Sequence, residues 1–405
     1  MTTSRREFIG TALGASALAM MTGTLPTRSL AQAAPNDSQI APSEPPEPKP
    51  YVAGSGERKL DIINLYDLEA EARKVIPEGP FGYIASGAGD EWTLRENTRS
   101  FDDVQILPRY LQGYDMPDIS TTQLGSELSS PIFIPPMAAH GLAHESAEIA
   151  TARGAAEAGV LFCTQTLANM PLEEIAKAGA GPKWFQLYYN KDPGINRELI
   201  ARAKAAGNTA IVFTVDLEWP GNRETDLRTG FTFPRTLPFP NLPIAKGTSF
   251  ADGFKRNLDF SDIEFIRQES GLPVIVKGIL TPENAKECVK HGASAIQVSN
   301  HGGRQLDGVP AAFAALRGIV EAVGEVDNGV PVYLDGGVRR GTHVFRALAM
   351  GASAVAIGRP TLYGLALGGS QGVKSVFDVI NEELRLAMKL AGCARIEDVA
   401  RAFVT

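Results

Sequence analysis

Eight short apolar segments recur along this chain, most of them followed by a polar turn and an amphipathic stretch that ends in glycine. No other feature constrains the fold as tightly. The segments are 131–135, 160–165, 183–189, 210–216, 273–278, 295–300, 331–335 and 354–358. They lack the polar alternation of a strand with one wet face, so each predicts a strand covered on both sides. Helices are predicted between them over 145–158, 196–206, 282–291, 311–323 and 341–350, with stops at Gly159, Gly207, Gly292, Gly324 and Gly351. Strands alternating with helices make a parallel sheet, and eight such units favour a closed (β/α)8 TIM barrel over an open sheet. The 405 residues do not require a second domain, since one barrel takes about 250 residues or more.

Ahead of the barrel, Asn64 is expected to cap a helix whose Leu65, Leu68 and Ala72 share a face and which Pro77 stops. Residues 101–131 read as an irregular lead-in. Together with this helical lead-in, the barrel domain spans 60–405. After the fourth strand, residues 220–258 break the rhythm and are expected to form an active-site lid.

The first sixty residues read differently. Ser4-Arg5-Arg6-Glu7-Phe8-Ile9 opens a basic region, an apolar run of small residues follows to about Leu25, and Ala31-Gln32-Ala33 is a small-residue cleavage site. This is the layout of a signal peptide over 1–33, of the twin-arginine type, and it predicts an exported, periplasmic protein. Gly10 stands where that signal often has lysine. The apolar run falls short of the roughly 20 residues that span a bilayer, which argues against an uncleaved anchor. Residues 34–59 are dense in Pro, Ser, Glu and Gly and are expected to be a disordered linker.

Charge and cysteine exclude other classes. A formal net charge of −7, with no Lys/Arg-rich run, gives no footprint for nucleic acid. Cys163, Cys288 and Cys393 are too few and too scattered for a disulfide framework or a metal cluster. His140 and His144 have helical spacing but read as structural, so no metal is expected. His291 and His343 fall on barrel helices.

Active sites of such barrels lie at the carboxyl ends of the strands. Here those ends carry Gln186 and Tyr188, Thr214 and Asp216, Lys277, Ser299 to His301, Asp335 to Arg339, and Gly358-Arg359. Polar groups converge on one rim, which a purely structural barrel does not need. The loops after the last two strands are the usual phosphate cradle. Gly336, Gly337 and Gly358 allow close backbone approach there, and Arg339 and Arg359 bring charge.

The segment Ser299-Asn300-His301-Gly302-Gly303-Arg304-Gln305-Leu306-Asp307 resembles the signature of the FMN-dependent 2-hydroxy acid oxidases and dehydrogenases. The likeness extends over roughly 60–400 and includes Ala85–Ala88, Pro136–Gly141 and Pro273–Gly278. Ala138–His144 and Trp184–Tyr188 look most like the lactate oxidase branch. The resemblance implies FMN as cofactor, hydride transfer from the substrate Cα to the flavin, and a homotetramer. It makes His301 the general base, with Asp216 holding its tautomer. Arg223 and Arg304 clamp the substrate carboxylate, each for about 1.5–3 kcal/mol. Tyr83 is a third carboxylate contact, and Tyr188 bonds the substrate oxygen. Lys277 faces the flavin edge that becomes anionic on reduction. Asp335 binds ribityl hydroxyls, and Gly336, Gly337, Val338, Arg339, Gly358 and Arg359 surround the phosphate. Pro136, Met137 and Ala138 contact the ring, while Gln186, Thr214 and Ser299 bond its polar edge. One residue departs from the family. Gln165 stands where Ser or Thr is common, and its role is open.

The implied reaction converts a lactate-like (S)-2-hydroxy acid to the 2-oxo acid, with oxygen as acceptor and peroxide as product. Ala138, where some dehydrogenases carry Gly, favours that oxidase over a periplasmic dehydrogenase that passes electrons to a quinone or cytochrome. A flavin-binding barrel without catalysis would not need His301, Asp216 and two arginines. Another FMN barrel, such as an isomerase, would not need them in these positions.

Overall fold

The structure, a computed structural model, describes residues 51–242, 250–327 and 329–405. The expected signal over 1–33, and the linker up to residue 50, lie outside the described residues. Three helices come first: α1 (Asp67–Val75), α2 (Glu78–Ala85) and α3 (Trp92–Arg99). A short antiparallel hairpin, β1 (Thr121–Gln123) and β2 (Ser126–Leu128), then leads into eight parallel strands. These are β3 (Ile132–Ile134), β4 (Leu161–Gln165), β5 (Lys183–Leu187), β6 (Ile211–Thr214), β7 (Val274–Ile279), β8 (Ala295–Val298), β9 (Val332–Asp335) and β10 (Ala354–Ala356). They close into a barrel in sequence order, with β10 returning to β3. The barrel helices are α4 (Ala147–Ala158), α5 (Leu172–Ala178), α6 (Pro193–Ala205), α7 (Glu224–Thr229), α8 (Ser261–Ser270), α9 (Pro282–Lys290), α10 (Ala312–Val326), α11 (Gly341–Ala349) and α12 (Arg359–Ala391).

The apolar strand runs explain themselves in this arrangement. Successive side chains of a strand point to opposite faces, so both faces of a barrel strand need apolar residues. Outward residues such as Ile134, Phe162, Phe185 and Val276 join the helices in the main core. Inward residues near the amino end, among them Phe133, Cys163, Trp184, Val212, Ile275 and Tyr333, form a second cluster that Leu128 of β2 closes from below. Further along the same strands the inward residues turn polar: Gln165, Gln186, Thr214, Lys277, Ser299 and Asp335, each 6% exposed or less. Gln165 pairs with Gln186 in register, and Thr214 with Lys277. The barrel is therefore packed with apolar groups at one end and lined with polar ones at the other.

Several expectations need correction. Asn64 does not cap α1 directly. Its Oδ1 accepts from Tyr66 N at 2.8 Å, a turn that delays the helix to Asp67. The lead-in over 101–131 contains the β1–β2 hairpin, whose three-residue strands are too short for an alternation signal. Gly324 does not stop α10, which runs on to Val326. Helices α5, α8 and the long α12 went unread, and α12 bends at Gly368-Gly369 where the backbone leaves helical angles. The linker expected to run to Lys59 is fastened from Tyr51 on. Tyr51 N donates to Thr236 Oγ1 (3.1 Å) and its hydroxyl to Leu142 O (2.6 Å). Glu57 accepts from Ser370 N, Ser370 Oγ and Gln371 N, capping the second half of α12 at the bend.

Candidate active site

A cleft of about 1200 Å³, counting its open mouth, lies over the polar end of the barrel. Its walls include Tyr83, Tyr188, Lys277, Arg223, His301 and Arg304, together with Asp335 to Arg339, Gly358 and Arg359. Pro136, Met137, Ala138, Gln165 and Gln186 also line it. Thr214 and Ser299 stand just behind, bonded to residues that do. Gln186 Nε2 donates to Thr214 Oγ1 (3.1 Å) and Ser299 Oγ to Asp335 Oδ1 (2.7 Å). The fold thus brings together His301, Asp216, Lys277, both arginine pairs and the other residues assigned to the site, while Asn300 turns away to bond Asn97.

His301 follows β8 in a left-handed conformation, φ 58°, with its backbone N–H donating to Ser299 Oγ at 3.1 Å. Its Nδ1 lies 2.9 Å from Asp216 Oδ1, which leaves Nε2 to face the cleft. Burial, and then the nearby Lys277 charge, lower the His301 pKa from its usual 6.5 despite the carboxylate. Asp216 is pushed up by burial but pulled down further by Lys277 and His301, so it stays ionised. A neutral imidazole oriented by a carboxylate is a base whose conjugate acid is stabilised where it forms.

Two guanidiniums flank this pair. Arg304 Nη1 donates to the carbonyls of Tyr83 and Ser86, and the guanidinium sits 4.6 Å from the Tyr83 ring centroid. Burial pulls the Arg304 pKa down, which marks a cation short of counter-charge. Arg223 lies 5.5 Å from the same ring and reaches Asp226 at only 3.7 Å. Tyr83 is held by Phe231 and Phe233, with centroids at 5.2 and 4.9 Å. Burial, and then Asp216, push the Tyr188 hydroxyl up, so it is a neutral donor at any working pH.

The loops after β9 and β10 are built for an anion. Among the described residues the Arg339 guanidinium bonds only the Val338 carbonyl (2.9 Å), and burial lowers its pKa. Arg359 opens α12 and donates to the carbonyls of Ile84, Gly302 and Ser86 at 2.9–3.0 Å. Burial, and then Arg304, bring its pKa down to about 10. Gly337 is obligatory in this loop: at φ 76° a Cβ would overlap the Asn97 carbonyl. Buried guanidiniums without carboxylate partners, a helix N-terminus and glycine backbone suit a phosphate.

The cleft as a whole fits a flavin. Lys277 is 3% exposed and forms no salt bridge among the described residues. Gln165 Oε1 is buried without a hydrogen-bond partner among the described residues, as is Gln297 Oε1, which stands behind the cleft lining with its Nε2 on Asp335. Apolar Met137, Ala138, Ile84 and Leu362 supply flat walls. An unpaired ammonium and an orphaned amide oxygen beside an apolar slot match a ring with one polar edge, and the cationic loops match its phosphate.

Some participants escaped the sequence reading. Leu167, Leu217 and Phe233 line the cleft. Phe233 stands on the segment expected to be a lid, where Phe231-Thr232-Phe233 offered only an aromatic signal. Gln305 Nε2 ties the start of that segment down, donating to the Asp216 and Trp219 carbonyls. His140 and His144 are each engaged separately, His140 Nδ1 with Thr151 and His144 Nε2 with Gly56 O. Glu148 neighbours His140, accepting from its backbone N–H at 3.2 Å.

The sequence pattern of the FMN-dependent dehydrogenase family matches residues 72–405. The L-lactate oxidase of Streptococcus iniae is 49% identical over 355 residues, covering 86% of this chain and 87% of that protein. Glycolate oxidase 3 of Arabidopsis thaliana is 40% identical, covering 85% and 96%. The crystal structure of a lactate oxidase from Pediococcus acidilactici superposes with a TM-score of 0.83 at 46% identity, over 87% of this chain and 96% of that one.

Proposed function

The chain belongs to the FMN-dependent dehydrogenase family, and on that premise we propose that it oxidises a lactate-like (S)-2-hydroxy acid to the 2-oxo acid with oxygen as final acceptor. The observation that carries the reading is the His301–Asp216 pair facing a wall of Arg223, Arg304, Tyr83 and Tyr188. In this reading the two guanidiniums hold the substrate carboxylate, and Tyr188 donates to its 2-hydroxyl oxygen. His301 Nε2 takes the hydroxyl proton, and Asp216 balances the imidazolium so formed. FMN, when bound, supplies the two-electron acceptor. Leu167, Leu217 and Phe233 surround the remaining space, which favours a small apolar substituent on Cα.

Anaerobic addition of (S)-lactate should bleach the bound flavin, and (R)-lactate should not. Under air, about one peroxide per oxo acid is expected. Near-zero peroxide with fast dye reduction would instead select the dehydrogenase that passes electrons to a quinone or cytochrome. We further assign export to the Arg5-Arg6 leader and a homotetramer to the mature enzyme. Cell fractionation of the Arg5→Lys, Arg6→Lys double variant tests the first: retention inside the cytoplasm is expected. Light scattering tests the second.

A further inference from the structure

Behind the cofactor wall lies a carboxyl group that the reaction does not use. Glu148 is fully inaccessible, on the first turn of α4. Its Oε1 accepts from Gln165 Nε2 (2.9 Å) and His140 N (3.2 Å), and its Oε2 from Asn169 N (3.0 Å). These partners come from β4, the segment before α4 and the loop after β4, and all are neutral donors. The one titratable neighbour, His140, is held uncharged by burial, with its pKa near 3. Along α12, which packs on α4, Lys374 is paired with Asp378 and Gln371 with Glu157. No cation reaches Glu148 among the described residues.

Gln165 is the link to the cleft. Gln165 lines the cleft; one end of its amide is spent on Glu148, and the other, Oε1, is buried with no hydrogen-bond partner among the described residues. An amide has one donor end and one acceptor end, so fixing the first fixes what the second presents. We propose that Glu148 is a positioning residue for the cofactor: through Gln165 it decides whether the polar edge of the flavin meets an acceptor or a donor. Ionised Glu148 accepts from Nε2 and turns Oε1 toward the cleft. Protonated Glu148 donates to Oε1, the amide turns over, and Nε2 faces the cleft instead. Burial lifts the Glu148 pKa to about 7, so both states fall within the working range.

The inference rests on FMN occupying this cleft, and its test reads the bound flavin rather than turnover. The absorbance of the oxidised holoenzyme, and the FMN dissociation constant, are followed from pH 5.5 to 8.5. A transition near neutrality is expected in the spectrum. The dissociation constant should change about tenfold for each unit by which FMN moves the Glu148 titration. Glu148→Gln and Gln165→Met should each abolish the transition while His301→Gln retains it. Where Glu148→Gln fails to fold, Gln165→Met decides alone. A transition that survives in either variant, or is lost in His301→Gln, overturns the proposal, as does a flat wild-type profile. A protein that takes up no FMN at all overturns the reading of the cleft instead.

Discussion

At the scale of single residues, the proposed roles are one base and two clamps, and each has its own signature. His301→Gln should slow flavin reduction by ~10²–10⁴-fold, since it removes the group that takes the hydroxyl proton. Stopped-flow reduction with (S)-lactate measures this, and a near-wild-type rate defeats the assignment. Because burial and Lys277 hold His301 below 6.5, the base is already neutral at and above that pH. In Gln165→Met, where the link from Glu148 to the cleft is cut, the kcat/KM profile should therefore be level near neutrality and fall only as pH drops through a value below 6.5. Arg304→Met should raise KM and slow reduction together, because the clamp also orients the Cα hydrogen. Most of these residues were legible because each ends a strand or sits in a motif. Glu148 was not: it falls at the start of a helix whose neighbours are alanines, and only the fold brings Gln165 to it. Gln165 itself was visible as a departure without a meaning.

Among the elements, the strands were readable because both their faces are buried, which gives unbroken apolar runs. The β1–β2 hairpin and α5 were hidden by brevity, since three to seven residues carry too few turns of any period. The lid was legible only as an interruption. Its attachments run through single side chains such as Asn169 to Pro238 O and Asn241 to Met170 O, which no periodicity announces. The loop after β9 makes the sharpest demand on sequence. Gly337→Ala should destabilise the protein by about 2–4 kcal/mol, from the left-handed backbone and the overlap with Asn97 together. It should also weaken FMN binding, because the phosphate-side backbone must move. A denaturation midpoint and an FMN titration check both, and an unchanged midpoint would contradict the steric argument.

For the whole molecule, two buried groups pull stability in opposite directions with pH. His140 has a folded pKa near 3 against 6.5 unfolded, so its contribution is present above 6.5 and is lost as pH falls toward 3. Glu148 is raised to about 7 from 4.5, so its contribution is present below 4.5 and is lost as pH rises through 7. From pH 5 to 8, Glu148→Gln should therefore gain stability relative to wild type, by up to roughly 3 kcal/mol. Melting temperatures at the two ends of that range test it, and equal pH dependence in both proteins would refute it. Glu57→Ala, which uncaps the bent helix α12, should cost about 1 kcal/mol near neutrality. The cost should fade as pH falls below 4.5, because against burial the capping bonds hold the Glu57 pKa below that value. That fastening lies inside the expected linker, where composition gave no hint of order.

The stopper of Phe133, Trp184 and Tyr333 above Leu128 shuts the barrel axis as a passage. Whatever reaches the polar end has to come from the rim rather than through the middle of the sheet, so a lingering product at that rim stands in the way of the next reactant.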